Sequence, residues 1–222
     1  MNISVILTIA RVVWLEMIRR KDIYVLVILL ATLLFALLSV DIFGLQGVAA
    51  YVKDMGLLFT WLFAWILAIL VSARQLPAEE KQGTIFTLLA KPITRAELVI
   101  GKWLGAWSIT TGATLCFYAL IVVVVALRGG SFSTLVLLQA ILLHSAALAI
   151  ICSLALAFST RMNSDAAATF SFVLTGVALL VLPRIPELLL KLDGVHAGAM
   201  TVLWYITPHF EVFDLRQRLV YD

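Results

Sequence analysis

Residues whose side chains could carry out catalysis or bind a metal are few in this sequence, and they form no catalytic set. Gly101-Lys102 lacks the upstream glycine that a phosphate-binding loop requires. The three histidines, His144, His196 and His209, lack the helical spacing of a metal-ligand pair. We therefore predict no catalytic residue, no metal site and no cofactor in this chain, and we expect that it is not an enzyme.

His144 is the one ionisable side chain, apart from the cysteine thiols, that falls deep within an apolar run. An ionisable group inside a membrane is a functional candidate by default. A neutral histidine with one hydrogen-bond partner is also tolerated in a packed bundle, and packing is the interpretation that we prefer. No Asp, Glu, Lys or Arg lies at the centre of an apolar run, which disfavours an ion-coupled carrier or channel.

Composition places these residues in a membrane. The chain has 222 residues, of which 63% are hydrophobic and only 13% are charged. Soluble domains have about 25% charged residues. A chain this short cannot bury so much apolar surface in one soluble core, whereas lipid can cover it.

The apolar runs predict an all-α integral membrane protein with one transmembrane domain. Residues 1–22 read as an amphipathic helix that lies in the membrane interface. About five transmembrane helices follow, each long enough to cross, or nearly cross, a hydrocarbon core of ~30 Å. The predicted spans are 23–40, 56–73, 98–127, 134–158 and 166–182.

The distribution of Lys and Arg orients this bundle. The N-terminal helix, the 74–102 region and the turn between spans four and five hold ten of these residues, whereas the two opposite loops hold only Lys53 and Arg128. Positive charge accumulates on the cytoplasmic side. We therefore predict a cytoplasmic N-terminus, a cytoplasmic segment at 74–97 and an external C-terminal segment at 183–222.

The 74–97 segment is the only long polar stretch between spans. Pro77 is predicted to begin a short amphipathic helix over residues 78–90, and Pro92 to end it. Glu79 and Glu80 would then lie in its first turn, where negative charge suits the helix dipole. The apolar edge of this helix consists of Ile85, Leu88 and Leu89.

The third span carries a cap and a small-residue face. Thr94 is predicted to cap its N-terminus together with Glu97, three residues on. Small residues at steps of three and four favour close helix packing in lipid, within the chain rather than across a dimer seam. These residues are Gly101, Gly105, Ser108 and Gly112.

Residues 74–105 resemble the membrane permease subunit of ABC transporters of the type-2 exporter class. That family carries an Arg, a Glu, a Gly-Thr pair, a Leu pair, a Pro with a nearby Arg, and a Gly-Lys pair that enters the third span. The matching residues here are Arg74, Glu80, Gly83-Thr84, Leu88-Leu89, Pro92, Arg95 and Gly101-Lys102.

The resemblance implies that helix 78–90 is a coupling helix, which docks on a separate cytoplasmic ABC ATPase that binds ATP and Mg. It also implies export across the inner (cytoplasmic) membrane by two paired permease chains, with no nucleic acid as partner. The residues expected to contact the ATPase are Arg74, Glu79, Glu80, Gly83, Thr84, Ile85, Leu88, Leu89, Pro92 and Arg95.

One feature departs from the family, and one alternative stays open. Members usually have six spans, whereas five are predicted here, so that the sixth is lacking, supplied by another polypeptide or absent because the sequence is truncated. The alternative function is a non-transporting membrane scaffold or assembly factor, in which helix 78–90 recruits a partner without a cycle driven by ATP.

Overall fold

The computed structural model describes residues 2–19, 21, 24–25, 27–29, 31–32, 48–81, 93–127, 129–185, 198, 201–202, 204–205 and 209–221. Regular secondary structure in these ranges is helical throughout. The α-helices are α1 (Ile3–Arg19), α2 (Val48–Lys81), α3 (Arg95–Leu127), α4 (Thr134–Ser159), α5 (Ser164–Leu180) and α6 (Arg216–Tyr221), with 3-10 turns at Leu182–Arg184 and Phe210–Phe213. Most of the predicted span 23–40 lies outside the described residues.

Helices α2 to α5 are long and apolar enough to cross a bilayer. They coincide with four of the predicted spans, 56–73, 98–127, 134–158 and 166–182. The exposed surface supports this, because large apolar side chains such as Leu135, Leu142 and Leu180 are 69–75% exposed. Such side chains are stable at the surface when lipid, rather than water, surrounds them.

Helix α2 is the centre of the bundle and packs against α3, α4, α5 and α6. Ala64 and Ala68 are fully buried along it, and their small side chains allow neighbouring helices to approach closely. Several hydroxyl groups inside the bundle are satisfied locally. For example, the hydroxyls of Thr110 and Ser171 donate to the carbonyl oxygens of Ala106 and Ala167 in the preceding turn.

Helices α2 and α3 are longer than a bilayer requires. They have 34 and 33 residues, and therefore each extends about 50 Å at 1.5 Å per residue. The hydrocarbon core is only ~30 Å thick. Contacts join the C-terminal end of α2 to the N-terminal end of α3. These two ends therefore form one extension at one end of the bundle.

Helix α1 lies along the first half of α3 and runs in the same direction. The contacts between the two helices follow the same order in both: Asn2 contacts Glu97, and further along Trp14 contacts Ser108. The face against the bundle buries Ile6, Val13 and Met17. A second stripe, Ile3, Leu7, Trp14 and Ile18, is apolar and exposed. Placement of α1 in the membrane interface stays a prediction.

Candidate functional site

Helix α2 continues without interruption through Pro77 to Lys81. The prediction that Pro77 begins a separate helix is therefore wrong, and residues 78–81 are the last turn of α2. An interior proline costs about 3 kcal/mol in an exposed helix. Here Pro77 is buried, with Ala73 and Gln75 also buried beside it, so that tertiary packing holds the helix in place.

This correction reverses the electrostatic setting of Glu79 and Glu80. Both lie at the C-terminal end of a helix, where the dipole disfavours negative charge, rather than in a first turn where it favours it. Glu80 is exposed to solvent, whereas Glu79 is partly buried. A cation near Glu79 is the expected compensation.

Lys102 of α3 supplies that cation. Its Nζ lies 2.7 Å from Oε1 of Glu79 and donates to the carbonyl oxygen of Gln75 at 3.1 Å. The Lys102 side chain is 2% exposed and the Glu79 side chain 19%. The ion pair thus joins the end of α2 to the start of α3 in a setting with little water to screen it.

The N-terminus of α3 is capped as the sequence predicts. The Glu97 backbone N–H donates to Oγ1 of Thr94, and the Thr94 backbone N–H donates to Oε2 of Glu97 at 3.0 Å. The backbone N–H of Asn2 donates to the other carboxylate oxygen of Glu97. One carboxylate therefore ties the chain before α1 to the start of α3.

The predicted small-residue face of α3 meets α1. A methyl group on Gly101 would lie 2.8 Å from Cβ of Ile9, and one on Gly105 would lie 2.7 Å from Cβ of Val13. Real Cβ atoms do not approach so closely, and only glycine fits at these two positions without a shift of α1.

The same face continues at Ser108 and Gly112. The Trp14 indole N–H donates to Oγ of Ser108 at 2.7 Å. A Cβ at Gly112 would lie 3.4 Å from the Trp14 ring, which is ordinary contact. The four residues thus line one interface within the chain.

The other predicted contact residues are partly described. Arg74 is half-buried in α2, and Arg95 is exposed as the first residue of α3. Residues 82–92 lie outside the described part of the chain, and with them the remaining predicted contacts: Gly83, Thr84, Ile85, Leu88, Leu89 and Pro92.

His144 is buried and sits between two aromatic side chains. Its ring stacks on Trp61 at a centroid distance of 4.1 Å and an angle of 3°. Its Nδ1 lies 3.2 Å from the Tyr118 hydroxyl. One hydrogen-bond partner and a parallel ring agree with a packing role for His144.

Sequence reasoning missed the link between Glu79 and Lys102. The signal was present, since Lys102 falls one turn inside a predicted span, where a charge needs a partner. The expectation of a separate helix beginning at Pro77 hid it, because that interpretation assigned Glu79 to contact with the ATPase. Sequence reasoning also gave the small-residue face no particular partner.

Comparison with known proteins agrees with this architecture. Residues 7–212 match the family model described as ABC-2 family transporter protein. A 98-residue stretch, 40% of the chain, is 37% identical to the probable ABC transporter permease protein NosY of Pseudomonas aeruginosa and spans 35% of that protein's length. The family-model match covers most of the chain and includes the C-terminal end of α2 and the N-terminal end of α3. This chain is a transporter membrane protein and belongs to the ABC-2 family.

Proposed function

We propose that this chain is the permease subunit of an ATP-driven exporter in the inner membrane, with its N-terminus in the cytoplasm. A separate ABC ATPase binds ATP and Mg and docks on the segment between α2 and α3. A second permease chain, the same or similar, completes the path. The uneven distribution of Lys and Arg supports this orientation.

The ion pair between Glu79 and Lys102 carries the proposal. Residues 82–94 connect the two helix ends that this pair joins, over a gap of only thirteen residues. A partner that pulls on the connecting segment would therefore move α2 and α3 together rather than either helix alone. Glu97, through Asn2, extends the same connection to α1.

Residue chemistry in the segment fits a protein partner. Ile85, Leu88 and Leu89 supply apolar contact area, and the exposed charges of Glu80 and Arg95 can set orientation. In this arrangement the coupling element is the continuous end of α2 followed by the connecting segment. It replaces the independent helix that begins at Pro77.

The first experiment is affinity purification in mild detergent, followed by mass spectrometry of the chains that co-purify. We expect a Walker-motif ATPase at one copy per permease chain. A stable complex with a different partner, whose binding does not respond to ATP, would favour the scaffold function instead.

A variant then tests the docking segment itself. Glu80→Arg with Leu88→Asp reverses an exposed charge and places a carboxylate on the apolar edge, and we expect it to abolish ATP-driven transport while the chain stays inserted. Asp165→Arg is the matched control, because it reverses an exposed acidic residue in the first turn of α5. Unchanged transport in the double variant would contradict the docking role.

A further inference from the structure

A cavity of about 720 Å³ lies at the end of the bundle opposite the Glu79–Lys102 pair. Its walls come from the first half of α2, the end of α5 and the segment 210–217. Cavities of about 300–1,000 Å³ hold drug-sized ligands. Leu58, Leu62 and Leu179 contribute apolar surface to the walls.

The charged groups of the walls are mainly acidic. Among the residues that the structure describes, Asp54, Glu211 and Asp214 line the cavity together with the cation Arg216. Arg216 is engaged by Asp214, since its Nη2 lies 2.6 Å and its Nε 2.7 Å from Oδ2 of that carboxylate. Asp54 and Glu211, both exposed, add two negative charges that Arg216 does not offset.

Two tryptophans in the walls are held in fixed positions. Trp61 stacks on His144, and the Arg216 guanidinium lies 6.0 Å from the centre of its ring. The indole N–H of Trp65 donates to Oγ1 of Thr175 at 2.7 Å. Indole faces attract cations through their quadrupole, most strongly where water is scarce. The Trp61 ring is already engaged by His144 and by the Arg216 guanidinium, so that Trp65 is the tryptophan of the two that can meet a ligand cation.

We propose that this cavity binds an organic cation that has an apolar body, and that such cations are the substrate class of the exporter. Acidic groups at the wall favour the positive charge, while leucine and tryptophan surfaces favour the apolar body. Assigning the ligand as transported substrate rests on the proposed function. Binding itself depends only on the cavity.

The test uses the purified chain in nanodiscs of phosphatidylcholine, with empty nanodiscs as the blank. Tetraphenylphosphonium is the probe, and tetraphenylborate is an anion of the same shape. We expect saturable binding of the cation and none of the anion. Asp54→Asn with Glu211→Gln should weaken cation binding at least about tenfold, because two charges near the ligand are lost without a change of volume.

Two further variants test cation binding independently of the carboxylate variant. Asp165→Asn removes an acidic residue from the other end of the bundle and should leave binding unchanged. Trp65→Leu removes an indole face from the cavity wall without a change of charge and should weaken binding even where the carboxylate variant does not fold. Equal binding of the two probes, or full binding by the folded carboxylate variant, would overturn the inference.

The outcome is separable from that of the co-purification experiment. Cation binding without an ATPase partner would leave the cavity assignment intact and remove the proposed exporter. An ATPase partner without cation binding would support the proposed exporter and contradict the cavity assignment.

Discussion

The C-terminal end of α2 is buried against α3, whereas its first half borders a cavity of about 720 Å³. At the buried end Gln75 is 3% exposed and Lys102 2% exposed. At the cavity end Leu58 and Leu62 are 37% and 38% exposed. One continuous helix therefore joins a closely packed contact to an open space.

The packed end and the cavity end of α2 accommodate polar groups in different ways. At the packed end, Lys102 lies within reach of both Glu79 and a backbone carbonyl, so that burial is compensated. At the cavity end the carboxylates of Asp54 and Glu211 stay exposed. Glu79 and Trp65 are fourteen residues apart in one helix, or about 21 Å.

The largest expected effect comes from breaking the packed end. Lys102→Met removes the cation from a mostly buried pair, and we expect a loss of about 3 kcal/mol in the free energy of unfolding. SDS titration of the purified protein in bicelles measures this loss. Lys102→Met with Glu79→Gln should recover part of it, because the carboxylate is also neutralised. Glu79→Gln alone completes the cycle, and a loss in the double variant equal to the sum of the two single losses would show that the two side chains are not coupled.

A second prediction compares two glycines on one face of α3. Gly105→Ala should lower the free energy of unfolding by about 1–3 kcal/mol through overlap with Val13. Gly112→Ala is the matched control, since its methyl group would meet Trp14 only at ordinary contact distance. Both changes gain the same helix propensity, so that their difference isolates the α1 contact. Equal stabilities would mean that α1 shifts freely.

The smallest expected effect concerns the hydrogen bond at the far end of that interface. Trp14→Phe removes the indole donor to Ser108 and should cost about 1 kcal/mol. Thermal unfolding in detergent, followed by near-UV circular dichroism, can detect it. Adding Ser108→Ala to this variant should cause little further loss, because the partner is already absent. A large additional loss would assign Ser108 to a different contact.

The fold could be predicted further than the site. Four spans follow from apolar runs alone, since a run of about 20 uncharged residues has few stable alternatives to a membrane helix. The Thr94–Glu97 cap followed from spacing, because capping is local to four residues. Gly101 and Gly105 predicted a close helix contact, although their spacing did not identify α1 as the partner.

Patterns along the chain predicted a helical membrane protein, four of its spans and the segment that resembles a coupling motif. The continuation of α2 through Pro77, the contact of Lys102 with Glu79, and a cavity with acidic groups and tryptophans at the opposite end became visible in the folded chain. Helix and cap signals depend on neighbours within a turn or two. Continuity at a proline, pairing of distant charges and empty space all depend on how separate helices pack, which spacing along one chain does not encode.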